Sequence, residues 1–148
     1  MNEVRIGDVV VGDGRPLTLI SGPCVLEDID LALGIAETLK KETAKRGFQY
    51  VFKASYEKDN RGKPTGFNGP GLDKGLELLA RVKREIGVPV LSDVHRDTDV
   101  DAAAEVLDVV QIPAYLCQQT SLVIKVGETG KPVNVKKGQF LAPEDMKS

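Results

Sequence analysis

Apolar and polar residues along this chain fall into short blocks whose period switches between two and three to four. Val4, Ile6 and Val9 to Val11 are β-formers, and Leu17 to Ile20 follow after Gly12-Asp13-Gly14. That order predicts a hairpin over 4–20 with its turn at the paired glycines. Thr18 to Gly22 then doubles as the first strand of a larger sheet. A helix is predicted from Asp28 or Asp30, either of which suits an N-cap. Leu31, Ile35 and Leu39 recur every fourth residue and predict its buried face, and Gly47 stops it. Tyr50 to Ala54 reads as a strand. From Leu72 to Ile86 a single stripe of Leu72, Leu76, Leu79, Val82 and Ile86 predicts a helix, closed by Gly87. Pro89 to Val94 is a strand, Asp99 to Leu107 a short helix, and Val109 to Ile112 a strand. Thr120 is expected to cap a helix through Val126, broken by Gly127 and Gly130. Pro132 to Lys136 is the last strand. Alternation of strand and helix predicts an α/β fold with a parallel sheet and helices outside it.

Side chains alternate across a strand, so parity tells which residues share a face. Val51, Lys53 and Ser55 fall together, as do Leu91, Asp93 and His95, and Asn134 and Lys136. Val109, Gln111 and Pro113 form another such set, and Ile20, Gly22 and Cys24 a fifth. In each set the polar or ligating residue stands at the C-terminal end of its strand. That end is the active face of α/β proteins. Parity therefore directs Cys24, Lys53, Asp93, His95, Gln111 and Lys136 to one place. The long loop after Tyr50 to Ala54 adds Lys58, Arg61 and Lys63 before a helix start, a setting that suits an anion. Taken singly, each residue has a plainer reading. Cys24 could be a small core residue, His95 a satisfied loop residue, and the loop cations a solvated surface. Lys53 is harder to explain that way, because it interrupts a strand of Val, Phe and Ala, and lysine is rarely buried without a partner.

Composition narrows the classes. The 148 residues carry a formal net charge of −2, which argues against nucleic acid and membrane-surface partners. No apolar run approaches the ~20 residues of a membrane span. The N-terminus lacks the basic-then-apolar order of a signal peptide. Cys24 and Cys117 are far apart and form no CxxC motif, so reduced thiols in the cytoplasm are expected.

Seven segments give a sharper reading. They are GPCVLED at 22–28, YVFKAS at 50–55, KDNR at 58–61, GPGL at 69–72, SDVH at 92–95, QIPAYL at 111–116 and NVKKGQFLAP at 134–143. In these the chain resembles the 3-deoxy-D-manno-octulosonate 8-phosphate synthases, members of the phosphoenolpyruvate-condensing, aldolase-like family. Its heptulosonate-forming relatives carry a KPRTS-like segment where this chain has KDNR, which favours the eight-carbon product.

The resemblance implies a (β/α)8 TIM barrel. Residues 1–17 would form an N-terminal hairpin and 18–148 barrel strands one to five of a single domain. It also implies a transferase that joins phosphoenolpyruvate to D-arabinose 5-phosphate for lipopolysaccharide synthesis. Lys53, Lys58, Gln111 and Lys136 would contact phosphoenolpyruvate, and Ser55 would also be substrate-binding. Asn60 and Arg61 would meet the sugar phosphate. Asp93, His95 and Lys58 would act in catalysis. Cys24 stands where metal-dependent members have cysteine and metal-independent ones asparagine, so a divalent metal (zinc, iron or manganese) is expected through its thiolate. A homo-oligomer, a tetramer in the family, is also implied. Some family residues are replaced. Gly62 and Lys63 stand where hydroxyl residues are common, Asn68 for arginine, Arg96 for glutamate, and Gln118 and Ser121 for arginine and aspartate. A full barrel takes about 250 residues, so the chain is expected to be an amino-terminal portion, inactive by itself. Two alternatives stand beside this reading: an enzyme using erythrose 4-phosphate, and a half-barrel that binds a phosphorylated ligand without turnover.

Overall fold

The computed structural model describes residues 3–60 and 65–147. Two short strands, β1 (Val4–Ile6) and β2 (Val9–Val11), pair antiparallel. Five strands then pair in parallel, each with its neighbour in sequence: β3 (Thr18–Ser21), β4 (Gln49–Lys53), β5 (Val90–Asp93), β6 (Val109–Ile112) and β7 (Val133–Val135). Helices α1 (Ile29–Lys45), α2 (Leu72–Ile86), α3 (Val100–Val106) and α4 (Thr120–Glu128) lie between them in the chain. This is a partial TIM barrel with an N-terminal hairpin, built from the first five strands.

Two apolar layers hold it. The larger one contains Phe52, Val90, Val110 and Ile112 from the strands with Ala36, Leu79, Val82, Ala103 and Val126 from the helices. The smaller one joins Val51, Leu91 and Val109 from the strands to Ile6 and Val9 of the hairpin. The hairpin therefore closes the end of the sheet opposite the strand C-termini. Burying Ile6 and Val9 stabilises by roughly 1.5–3 kcal/mol each. Gln49 pins the hairpin in place: its Nε2 donates to Val10 O and its Oε1 accepts from Val10 N, both at 2.8 Å.

Local sequence explains the elements. Asp28 caps α1, its Oδ1 accepting from Leu31 N at 2.8 Å. α2 ends at Gly87, whose φ of 67° is left-handed and costs glycine little. Gly22 is required by contact: a Cβ there would stand 2.2 Å from Lys53 O.

Three sequence expectations are corrected. The hairpin turn lies at Gly7-Asp8, not at Gly12-Asp13-Gly14, and β3 pairs in parallel with β4 instead of folding back on β2. Gly7 adopts φ 58°, so it supplies the tight turn. The buried residues of α1 are Ala32, Ala36 and Thr43, while Leu31 remains 55% exposed. Ala32 and Ala36 are fully covered, Leu39 packs against the core only partly buried, and Leu31 at the head of its row stays in solvent. Thr120 is the first residue of α4, not its cap; Gln119 holds the cap position without a side-chain bond, and the helix runs through Gly127.

Candidate active site

The C-terminal ends of four strands open onto one cavity of about 280 Å³. Lys53, Lys58, Asn60, Asp93, His95, Gln111 and Lys136 line it, with Tyr115 and Gln139. Register explains the convergence. Asp93 is paired with Gln111 and Gln111 with Asn134, so three side chains stand in one row across β5, β6 and β7. Asn134 Nδ2 donates to Gln111 Oε1 at 2.8 Å, which orients both amides. Lys53 lies at the end of β4, in the row of Leu91 and Val109 below.

Ser55 is the hub of the polar network. It is fully buried, and its hydroxyl accepts from Lys58 Nζ at 2.6 Å and from Lys53 Nζ at 3.2 Å. The same hydroxyl donates to Asp93 Oδ1. Lys53 Nζ also donates to Cys24 O at 3.3 Å, which ties β4 to the chain beyond β3. Asp93 Oδ2 lies 3.4 Å from His95 Nε2 and 4.0 Å from Lys58 Nζ. Two ammonium groups thus share one hydroxyl beside one carboxylate.

The electrostatics follow from burial and these partners. Burial by itself would raise the Asp93 carboxyl. Hydrogen bonds from His95 and Ser55, with the charges of Lys58 and Lys53, outweigh it and hold the group well below the usual carboxylate range. Burial lowers Lys53; Asp93 opposes the shift and Lys58 adds to it. An anion entering the cavity would relieve the repulsion between the two cations. His95 is packed edge-on to Tyr56, with ring centroids 6.3 Å apart, and stacked on Tyr115 at 6.5 Å and 21°. Burial pushes the Tyr115 hydroxyl up to about 12, so it stays a neutral hydrogen-bond donor at ordinary pH.

Not every predicted residue joins the cavity. Cys24 is exposed and does not line it, although its carbonyl holds Lys53. Past Gly22-Pro23 the chain keeps pace with the segment after β4 through a parallel bridge of Val25 to Ser55, and Cys24 stays close enough to Lys53 to favour its charged form. Arg61 and Lys63 lie outside the described residues. Among the described residues no group of three or more His, Cys, Asp or Glu side chains is arranged to hold a metal ion. The Asp93 carboxylate, the nearest candidate donor, is already engaged by Ser55, His95 and Lys58. A single cysteine does not make a divalent site, so the described residues do not form one by themselves.

Tyr115 and Gln139 were not found by strand parity. Tyr115 lies in a 3₁₀ turn, Ala114–Leu116, immediately after β6, where the two-residue period has ended. Its place in QIPAYL was the available signal.

Fold and site together define a partial TIM barrel whose strand C-termini carry cationic side chains around one cavity. The chain belongs to the DAHP synthetase I family, which it matches over residues 2–148. It is 55% identical over 146 residues to a 2-dehydro-3-deoxyphosphooctonate aldolase of Citrifermentans bemidjiense, covering 99% of this chain and 54% of that protein. To the protein of the same description from Paracidovorax citrulli it is 54% identical over 138 residues, covering 93% of this chain and 48% of the relative. The chain therefore spans about half the length of the curated relatives it matches. Among the described residues, no helix is long and apolar enough to cross a membrane.

Proposed function

We propose that this chain provides the phosphoenolpyruvate-binding part of a 3-deoxy-D-manno-octulosonate 8-phosphate synthase. The observation that carries this reading is the shared cavity of Lys53, Lys58, Gln111 and Lys136, set beside the network of Ser55, Asp93 and His95. The names of the relatives support the eight-carbon product over the product from erythrose 4-phosphate.

In this reading the carboxylate and phosphate of phosphoenolpyruvate meet the ammonium groups of Lys53, Lys58 and Lys136 and the Gln111 amide. Fixed cations in a small cavity stabilise charge better than bulk water, because they do not reorganise. Asn60 and Arg61 receive the arabinose 5-phosphate, with Arg61 suited to a bidentate phosphate grip. Carbon three of the enol phosphate attacks the sugar aldehyde, whose oxygen takes a proton. Water adds at carbon two, and phosphate leaves from that carbon. Asp93, held ionised, and His95 orient that water and exchange its proton. No step is assigned to Cys24 or to a metal. Assembly as a homo-oligomer in the cytoplasm completes the reading.

Calorimetric titration of phosphoenolpyruvate into the chain tests the binding half. Saturable heat is expected, and it should be lost on Lys53→Ala or Lys136→Ala. A chimera carrying this chain in place of the matching portion of the Citrifermentans relative tests the chemistry. It should release phosphate with arabinose 5-phosphate; release with erythrose 4-phosphate alone would overturn the assignment. The chain by itself is expected to bind without turnover.

A further inference from the structure

Beside the cavity, Arg96 gathers the carboxylates of the rim. Its Nη2 donates to Glu57 Oε1 at 2.6 Å and its Nη1 to Glu57 Oε2 at 3.1 Å, a bidentate fork. The same Nη1 reaches Asp99 Oδ2 at 3.4 Å, and Asp59 adds to the negative field around the guanidinium. The position of this fork in the chain matters. Glu57 immediately precedes Lys58, and Arg96 immediately follows His95. The fork therefore links the loop after β4 to the loop after β5 at the two residues adjoining the site. Backbone bonds also hold this stretch: Lys58 N donates to Asn68 O at 2.6 Å, Gly71 N to Tyr56 O at 3.2 Å, and Tyr56 N to Ser92 Oγ at 3.3 Å, while the fork is the side-chain tie at Glu57.

We propose that Arg96 is a positioning residue for Lys58 and a screen for the acidic rim. Its fork on Glu57 fixes the peptide from which Lys58 reaches Ser55, and its charge offsets Glu57, Asp59 and Asp99 beside a pocket that takes a dianion. The site role of Lys58 rests on the function proposed above; the clasp itself rests on the observed bonds. The Glu57 carboxyl is held below its ordinary range chiefly by the Arg96 hydrogen bond, which keeps the pair charged through neutral pH.

Two readouts on the 148-residue chain test this. The first is the rate at which Lys58 is reductively methylated, followed by mass spectrometry against exposed Lys74 as an internal standard. Lys58 has 13% side-chain exposure against 57% for Lys74, so it should react slowly. Arg96→Glu should speed Lys58 at least about fivefold and leave Lys74 unchanged, and Arg96→Gln should do so to a smaller extent. The second is phosphoenolpyruvate affinity by calorimetry. Arg96→Glu should weaken it about tenfold, with a steeper loss at low salt, where the unscreened carboxylates repel the ligand most. The double variant Glu57→Arg with Arg96→Glu should restore both readouts to within about threefold, which loss of general stability would not permit. Unchanged Lys58 labelling in both single variants would overturn the clasp. Faster Lys58 labelling in a protein that never binds phosphoenolpyruvate would leave the clasp standing and overturn the proposed function.

Discussion

Ser55 illustrates how one buried hydroxyl can set a site. It accepts from two lysines and donates to one carboxylate, so its three partners are held in a fixed triangle. Ser55→Ala removes the hub without adding volume, and each charge-assisted bond lost is worth about 1.5–3 kcal/mol. Phosphoenolpyruvate affinity should fall at least about tenfold by calorimetry, with an unchanged circular dichroism spectrum. Titration gives a second expectation. The Asp93 carboxyl is lowered in the folded protein, so its stabilising contribution is complete above the unfolded value of about 3.9. It is lost as pH falls from there through the depressed folded value. Asp93→Asn should therefore flatten the acid limb of a stability-versus-pH curve measured by thermal melts. Lys53 works in the other direction. Burial lowers it from 10.5, so its charge fades earlier on the alkaline side, and phosphoenolpyruvate binding should weaken below the ordinary lysine range. Lys53→Arg should move that alkaline limb upward. Lys53, Lys136, Asp93 and Gln111 were legible as neighbours because strand parity aims them at one cavity, and Lys58 because it stands in the cationic loop after β4. Tyr115 was not, because it follows a strand end, and the Arg96 to Glu57 fork was not, because it joins residues 39 apart across two loops.

Elements are placed here by close contacts as much as by apolar stripes. α2 carried its full stripe in the sequence and buries Leu76, Leu79 and Val82. α1 misled because its most buried core residues are Ala32 and Ala36, with Ile29, Leu33 and Leu39 only partly buried around them, and alanine spacing gives little periodic signal. Gly75 explains how α2 reaches the loop that carries Lys58: a Cβ there would stand 2.2 Å from Tyr56 Cβ. Neither partner can yield, since Tyr56 is fully buried. Gly75→Ala gains helix propensity but overpacks this contact, at a cost of about 1–3 kcal/mol. A lowered urea midpoint with an unchanged slope would match that expectation. Asp28→Ala removes the α1 cap and should cost about 1 kcal/mol in the same assay.

At the scale of the molecule, the two outer strands of the sheet are the vulnerable features. Among the described residues, β3 and β7 each pair on one side only. Ile20 on β3 is 40% exposed, and Val133 and Val135 on β7 are 39% and 38% exposed. Ile124 on α4 lies near Val135 and is 56% exposed, and Leu31 on α1 is exposed as well. Unpaired strand edges flanked by apolar side chains invite association. The 148-residue chain should sediment as species larger than a monomer at micromolar concentration and should bind a hydrophobic dye. Charged substitutions at Ile20 and Val135 should reduce both signals. The alternation of elements made the parallel α/β sheet legible in the sequence, and the resemblance carried by the seven segments supplied the barrel. The hairpin at the far end was placed less well, since its anchor, Gln49, carries no periodic signature.

Strand order has one more consequence, for synthesis on the ribosome. Every parallel strand docks on the one made just before it, so the sheet can add elements in the order in which they emerge. A nascent chain tethered after residue 113 already holds Lys53, Lys58, Ser55, Asp93 and Gln111. The ligand cradle would thus take shape during translation, and phosphoenolpyruvate supplied at that stage could act as a folding template.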